Sequence, residues 1–223
     1  LISYLKAKGF LLDSLDAVMD GPSEKSLAVS FDDGYEHLRD VLPRLIDEYG
    51  IKVTIFIPTA YIGKENRWDY SSVFQVSRHL DEPSIKELAL LGVTFGSHGH
   101  SHQSLVRLSE KKLRSELETS RKTLEDITGE TKKSISYPFG SADRKVMDSA
   151  GEAGYECGFT MRFPVAGDHP LATGRFAVYG FDTNFTVRQK LSGGRLYTVE
   201  RMKATFANKL SAGTGLYRWL SGR

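Results

Sequence analysis

Short apolar runs alternate with helical patterns along the first quarter of the chain. The runs Leu27–Phe31 and Ile51–Ile57 are short, apolar and bounded by polar residues or proline, which is typical of strands. Between them, His37–Tyr49 repeats apolar residues at helical spacing and stops at Gly50, a residue common at helix ends. This order predicts a strand–helix–strand unit. Before Leu27 the pattern predicts a helix over Ile2–Lys8 and no clear strand.

The same alternation continues through most of the chain. Further strands are predicted at Val93–Ser97, Ile135–Tyr137, Tyr155–Met161 and Arg175–Tyr179. Further helices are predicted at Ser84–Leu91, Ser109–Thr128 and Asp143–Ala153. The helix predicted at Ser84–Leu91 begins with Ser84 and has Glu87 three residues later, which is the spacing of a capping box. Strands that alternate with helices predict an α/β fold with a parallel, barrel-like sheet, in which chemistry gathers where strands end.

Length and composition favour one globular domain over residues 1–223. Of the 223 residues, 40% are hydrophobic and 26% charged, which argues against a disordered or collagen-like chain. The length is a little short for a complete eight-unit barrel of about 250 residues. A single cysteine, Cys157, excludes an internal disulfide and a cysteine-based zinc cluster. No apolar run approaches the roughly 20 residues of a membrane span.

Charge separates a catalytic core, about 26–185, from a basic helical tail, about 186–223. The tail carries eight Lys or Arg against one acid, Glu200, although the whole chain is only +2. An amphipathic helix is predicted there, with an apolar stripe at Val199, Met202, Phe206 and Leu210. Packing of this stripe on the core is favoured, and weak contact with a membrane surface is the alternative. No nucleic-acid partner is expected.

Two segments at strand ends carry candidate chemistry. Ser30–Gly34 reads SFDDG and places two adjacent carboxylates, Asp32 and Asp33, after an apolar strand; a simple turn or helix cap is the alternative. His98–His102 reads HGHSH, and two histidines four residues apart lie on one side of a helical turn. With a carboxylate from elsewhere, they predict a divalent-metal site with open positions, as in zinc catalysis.

A third segment, Ser136–Gly140, reads SYPFG. Its proline restricts Tyr137 to extended geometry, and its glycine permits close approach of the backbone. Such a rigid turn is able to aim backbone N–H groups at a developing oxyanion.

Taken in this order, the three segments resemble the polysaccharide deacetylase family, the carbohydrate esterases (family 4) with a NodB homology domain. The family motifs have the forms T-F-D-D-G, H-S/T-x-x-H and R-x-P-x-G, and the resemblance spans about Leu27–Thr160. It implies a distorted, incomplete (β/α) barrel. It also implies a hydrolase that removes N-acetyl, sometimes O-acetyl, groups from sugar polymers.

The resemblance also implies roles for individual residues. Asp32 is the general base, and Asp33, His98 and His102 are metal ligands. Zinc is the first expectation for the metal, with cobalt or nickel as alternatives. The metal acidifies water and polarises the acetyl carbonyl, while a carboxylate accepts the proton. The backbone N–H of Phe139 is the expected oxyanion donor.

This chain departs from the family pattern at two places. Ser136 stands where the family has an arginine that orients the catalytic aspartate, so the pKa of the base is expected to be less depressed. The late Leu-x-His motif that often supplies the general acid is also missing. His169, His100 or an acid in an absent N-terminal segment is then expected to protonate the leaving amine.

Several other residues receive weaker assignments. Trp68, Tyr137 and Pro138 are expected to contact the substrate, an N-acetylated glycan, with packing as an equal alternative for Trp68. His37 and His79 are expected on the surface, Asp182 is expected to cap a helix, and Cys157 is expected to be buried without chemistry.

The sequence therefore predicts a metal-dependent deacetylase acting on a bacterial polysaccharide. A cyclic imide or amide hydrolase of the same fold and a catalytically weak carbohydrate-binding module are the alternatives. Because the chain begins at Leu1 rather than methionine, we expect an N-terminal piece to be absent. The location, cytoplasmic or associated with the cell envelope, stays open, as does the oligomeric state.

Overall fold

The structure is a computed structural model that describes residues 1–21, 25–66, 77–162, 164, 167–178 and 182–192. The chain divides into two compact units. The first comprises Leu1–His102 and Ser115–Ile135, and the second comprises Gln103–Arg114 and Ser136–Arg223.

The first unit is built on parallel strands with helices between them. Strands β1 to β5 span Leu11–Asp13, Ser26–Phe31, Val53–Ile57, Thr94–Ser97 and Ser134–Ser136, the last residue of β5 belonging to the second unit. Each strand pairs in parallel with the next along the chain. Helices α1 to α5 span Ile2–Ala7, Leu15–Asp20, Leu38–Tyr49, Glu82–Leu90 and Glu110–Thr128, with residues 110–114 of α5 belonging to the second unit. The carboxyl ends of these strands share one edge, where ligands bind in open α/β sheets.

The central strands are buried and packed closely together. All residues of β3 are buried, as expected for a parallel strand covered on both faces. In β4, a Cβ added at Gly96 would lie 2.5 Å from the Phe56 ring and 2.7 Å from the Ser134 hydroxyl. Glycine at this position therefore lets neighbouring strands pack closely.

The second unit contains a smaller set of elements. Strands β6 (Cys157–Thr160) and β7 (Thr173–Gly174) pair in parallel, and helices α6 (Arg144–Glu152) and α7 (Asn184–Ser192) accompany them. Its core includes Tyr137, whose buried hydroxyl donates to the Leu171 carbonyl at 2.8 Å.

The expected alternation of strands and helices is confirmed, but two strand predictions are wrong. Leu11–Asp13 forms β1 beside β2, although only Leu12 is buried. A three-residue strand with a single buried residue has almost no periodicity, so the sequence pattern does not predict β1. The strand predicted at Arg175–Tyr179 is absent from its described residues, 175–178, and the short β7 ends just before them.

One capping prediction differs from the structure, and another stays a prediction. Asp81, not Ser84, caps α4 by accepting the Ser84 N–H at 2.9 Å. Asp182 precedes α7, and its carboxylate accepts from the Thr186 hydroxyl at 3.0 Å and pairs with Lys190 Nζ at 2.6 Å; its role as a helix cap stays a prediction. This ion pair is almost fully buried.

The expected stripe of the basic tail lies outside the described residues, which end at 192. Among the residues that the structure describes, no helix combines the length and apolar character needed to cross a membrane. Cys157 is half-buried rather than buried.

Candidate metal centre

The two adjacent aspartates follow the last residue of β2. Asp33 and Gly34 both have left-handed backbone conformations, with φ of 67° and 58°. Aspartate adopts this region more readily than most residues. At Gly34 a Cβ would lie 2.2 Å from the end of the Ile57 side chain, and this close contact together with the positive φ favours glycine in this turn. The turn places Asp33 at the carboxyl edge of the sheet.

The histidine segment leaves the carboxyl end of β4, which is separated from β2 by β3. The His98 N–H donates to the carbonyl of Ile57 on β3 at 2.9 Å, and His102 has a left-handed φ of 53°. Residues 98–102 form a loop rather than the helical turn suggested by their spacing. The loop still brings the two rings together, with centroids 4.9 Å apart.

One carboxylate oxygen and two ring nitrogens converge at this point. Asp33 Oδ1 lies 3.7 Å from His98 Nε2 and 3.3 Å from His102 Nε2. Both histidine side chains are almost fully buried, at 4% and 7% exposure, whereas that of Asp33 is 22% exposed. Ligands about 2.0–2.2 Å from a tetrahedral Zn²⁺ lie about 3.3–3.6 Å from each other. The donor set fits a divalent metal, with the Asp33–His102 distance inside this range and the Asp33–His98 distance just above it.

Backbone strain concentrates on residues singled out by the sequence motifs. Within the described ranges, Asp33, His102 and Phe139 are the non-glycine residues with positive φ. Such conformations persist where the surrounding structure enforces them, and they cluster at functional sites.

His79 is a neighbour of this site that the sequence analysis placed on the surface. It is buried, at 2% exposure, and its Nδ1 lies 2.7 Å from the Asp33 carbonyl oxygen. Its ring stacks on Tyr35 with centroids 5.3 Å apart. Burial, and to a lesser extent the nearby His98, lower the pKa of His79. Since a carbonyl only accepts, the neutral ring donates its Nδ1–H to Asp33 and supports the strained turn.

A family comparison supports the same interpretation of the motifs. The profile of the family described as Polysaccharide deacetylase matches residues 20–158, well over half of the chain. The chain belongs to the polysaccharide deacetylase family. This family consists of hydrolases that remove acetyl groups, and its members are generally metal-dependent.

Relatives in the deacetylase family are longer than this chain. YxkH of Bacillus subtilis (strain 168), assigned by name to the polysaccharide deacetylases, is 32% identical over 140 residues, which cover 62% of this chain and 46% of that protein. The poly-beta-1,6-N-acetyl-D-glucosamine N-deacetylase of Staphylococcus aureus (strain N315) is 25% identical over 62% of this chain and 48% of its own length. The chain thus spans about half the length of these curated relatives.

Solved structures share the fold at low sequence identity. The deacetylase PplD of Streptococcus pyogenes, solved in complex with acetate, superposes with a TM-score of 0.72 at 19% identity, covering 86% of this chain and 84% of that one. IcaB from Ammonifex degensii gives the same TM-score, identity and coverage. These likenesses confirm the expected fold class, the distorted, incomplete (β/α) barrel of the deacetylase family.

The SYPFG segment lies in the second unit. Phe139 has a left-handed φ of 60° within the short turn Pro138–Gly140, which presents its backbone in an unusual orientation. Tyr137 and Pro138 are buried, and their roles as substrate contacts stay predictions. The oxyanion role of the Phe139 N–H stays a prediction.

Ser136 has a cationic neighbour that the sequence analysis did not assign. The Arg175 guanidinium donates to the Ser136 hydroxyl at 2.6 Å and lies over the Phe159 ring, 5.7 Å from its centroid. A guanidinium from another part of the second unit therefore stands beside the position at which the family motif has an arginine.

The candidate acids have different surroundings. His169 is exposed, and its Nδ1 accepts the Leu171 N–H at 3.1 Å, so the ring caps its own turn. His100 lies in the loop between His98 and His102, with Nδ1 2.9 Å from the Thr59 hydroxyl. Neither role is tested by these contacts, and both stay predictions. Trp68 lies outside the described residues.

The hydrogen bond from His79 predicts a measurable effect on Asp33. His79→Phe keeps an aromatic ring but leaves the Asp33 carbonyl without this donor, so we expect the free energy of unfolding to fall by about 1–3 kcal/mol. We also expect zinc affinity to fall about 10–100-fold, as for other partners of metal ligands. Urea unfolding and zinc titration measure the two effects.

Two variants make this test specific. His79→Asn keeps an N–H donor near the same place and should retain more zinc affinity than His79→Phe. His37 is exposed and stacks on the same Tyr35 ring, so His37→Phe should change stability by no more than about 0.5 kcal/mol. Equal zinc affinity in wild type and His79→Phe would contradict the supporting role of His79.

Proposed function

We propose that this chain is a metal-dependent deacetylase that hydrolyses N-acetyl groups on a bacterial glycan, with Asp32 as the general base. The observation that carries the proposal is the convergence of Asp33, His98 and His102 within ligand spacing, directly beside Asp32. The family relationship supports the reaction class.

Asp33, His98 and His102 would hold the metal through one carboxylate oxygen and two imidazole nitrogens. Such a donor set suits zinc, while cobalt and nickel also accept imidazole and carboxylate ligands. When bound, the metal supplies Lewis acidity that makes water a stronger nucleophile and polarises the acetyl carbonyl. The buried rings of His98 and His102 and the left-handed turn at Asp33 would fix the position of the metal.

The proton transfers are assigned to side chains of the chain. Water adds to the acetyl carbon, and the Asp32 carboxylate accepts a proton from that water. The bond between the acetyl carbon and the sugar nitrogen then breaks, the nitrogen takes up a proton, and acetate leaves. His100 and His169 remain the candidates for that proton donor.

The relatives indicate which glycan to test first. The Staphylococcus aureus relative is named for poly-beta-1,6-N-acetyl-D-glucosamine. Because this chain covers about half of that protein, the sugar and linkage are part of the proposal. A β-1,6-linked N-acetylglucosamine oligomer is therefore the first substrate.

The experiment compares zinc-loaded protein with protein stripped by a chelator and with stripped protein to which zinc is restored. We expect the loaded and restored samples to release acetate and free amine in equal amounts, and the stripped sample to fall to the uncatalysed background. Equal activity with and without metal would contradict the metal-dependent mechanism.

Two other outcomes distinguish the alternative functions. Binding of the oligomer with no acetate released by any sample, including with O-acetylated oligomers, would favour a carbohydrate-binding module. Turnover of a small cyclic imide with no activity on glycans would favour the related imide hydrolase. Either result would overturn the proposed deacetylase activity.

A further inference from the structure

The loop that carries His98 and His102 is held from one side by α5. The Glu116 carboxylate accepts the His100 N–H at 2.9 Å and the Ser101 N–H at 2.8 Å, and it also accepts the Ser101 hydroxyl at 2.5 Å. One carboxylate therefore binds both residues that stand immediately before His102 in the loop.

A second contact from α5 lies one helical turn after Glu116. The Ser120 hydroxyl bonds to the Ser97 hydroxyl, and Ser97 Oγ accepts the Gly99 N–H at 3.0 Å. Both serines are fully buried. Helix α5 thus contacts the His100 and Ser101 N–H groups directly through Glu116, and Ser120 contacts the Ser97 hydroxyl that accepts the Gly99 N–H.

The opposite side of the loop is held by the segment after β3. Thr59 N–H donates to the Gly99 carbonyl at 3.2 Å, and Ala60 N–H donates to the His100 carbonyl at 2.8 Å. The Gly99 and His100 carbonyls therefore have backbone donors, whereas the His100 and Ser101 N–H groups depend on the Glu116 side chain of α5. Losing that side chain would leave part-buried N–H groups without their acceptor, which costs free energy until the loop rearranges.

The histidine positions depend on this loop conformation. No regular helix or strand fixes residues 98–102, and His102 is held in a left-handed conformation. A change in the backbone at His100 or Ser101 would move His102 relative to His98 and Asp33. Metal ligands tolerate little displacement, because ligand distances are confined to a few tenths of an ångström.

We propose that Glu116, assisted by Ser120, is a positioning residue that sets metal affinity by fixing the loop between the two histidine ligands. This inference rests on the proposed metal-dependent function. It assigns to α5 a role in the site beyond packing, although neither residue has an atom among the metal-ligand group.

The test measures zinc affinity by competition with a chromophoric chelator, together with the visible spectrum of the cobalt-loaded protein. Glu116→Ala removes every acceptor and should weaken zinc binding about 10–100-fold, as expected for residues that hold metal ligands. Its cobalt spectrum should shift, because the ligand geometry changes. Glu116→Gln keeps a carbonyl oxygen that accepts backbone N–H groups, so it should recover most of the lost affinity.

A matched control lies on the same helix. Glu125 also accepts a backbone N–H, that of Lys132 at 3.0 Å, and pairs with Arg121. Glu125→Ala should therefore lower the stability of the metal-free protein in urea while leaving zinc affinity and the cobalt spectrum unchanged. This contrast separates positioning of the ligands from general support of the fold.

The outcomes distinguish this inference from the proposed function. If wild type binds no zinc, the proposed function itself fails. If wild type binds zinc and Glu116→Ala folds and binds it equally well, the positioning role is wrong. Equal loss of affinity in Glu116→Ala and Glu125→Ala would also overturn it. If Glu116→Ala does not fold, Ser120→Ala is measured in its place; it should weaken zinc binding and shift the cobalt spectrum, and wild-type affinity and spectrum in that variant would contradict the proposal.

Discussion

Replacing Asp32 with asparagine is expected to lower acetate release by about 10²–10⁴-fold, the usual contribution of a general base. Asparagine has nearly the same shape as aspartate but has no basic carboxylate to accept the proton of water. Asp33, the adjacent ligand candidate, is unchanged. The variant should therefore bind zinc with wild-type affinity and bind the glycan oligomer normally. Initial rates of acetate release and a zinc titration on the same preparation test both parts.

A comparison of substitutions at Asp32 and Asp33 distinguishes the roles of the two adjacent carboxylates. Asp33→Asn is the matched comparison, because it should lose zinc affinity as well as activity. If Asp32→Asn retains more than about a tenth of the wild-type rate, proton transfer contributes less than a general base normally does, and the assignment of Asp32 is wrong. If instead it loses zinc while Asp33→Asn keeps it, the two roles are reversed.

Removing the ring of His98 or His102 is expected to abolish specific zinc binding. Each side chain supplies a nitrogen within 3.7 Å or less of Asp33 Oδ1. Loss of one of three protein ligands should weaken affinity by more than the roughly 10–100-fold that loss of a partner outside the ligand set costs. Zinc competition assays on His98→Ala and His102→Ala measure this directly.

The intervening histidine provides the control for that experiment. The His100 ring lies in the same loop but bonds to the Thr59 hydroxyl, outside the group of metal-ligand atoms. His100→Ala should keep zinc affinity within a few-fold of wild type, because its backbone contacts to Glu116 and Ala60 persist. Comparable losses of zinc affinity in all three histidine variants would indicate a disordered loop rather than the loss of individual ligands.

Residues with strong local patterns could be predicted from the sequence. The helix expected at Ser109–Thr128 is α5, Glu110–Thr128, because its apolar stripe is long and a glycine follows it. The strands that carry the aspartates and the histidines were also predicted, because each is a short apolar run. Both strands pair in parallel with β3, which places Asp33, His98 and His102 at the same edge of the sheet.

Contacts that depend on tertiary packing could not be predicted. His79 has no repeating pattern around it, and only the fold shows that its ring is buried against Asp33. The sequence does give an indication for Ser120, because this polar residue interrupts the buried apolar stripe of Leu113, Leu117 and Leu124. A polar residue at a core position indicates a buried partner, here Ser97, but the sequence does not identify that partner.

The central claim is that Asp33, His98 and His102 together hold one divalent metal. Anomalous diffraction from crystals of the zinc-loaded protein, recorded on both sides of the zinc absorption edge, tests it most directly. The account predicts one strong peak about 2.0–2.2 Å from Nε2 of His98, Nε2 of His102 and a carboxylate oxygen of Asp33. A peak bound by other residues, with these three side chains outside ligand distance, would contradict it.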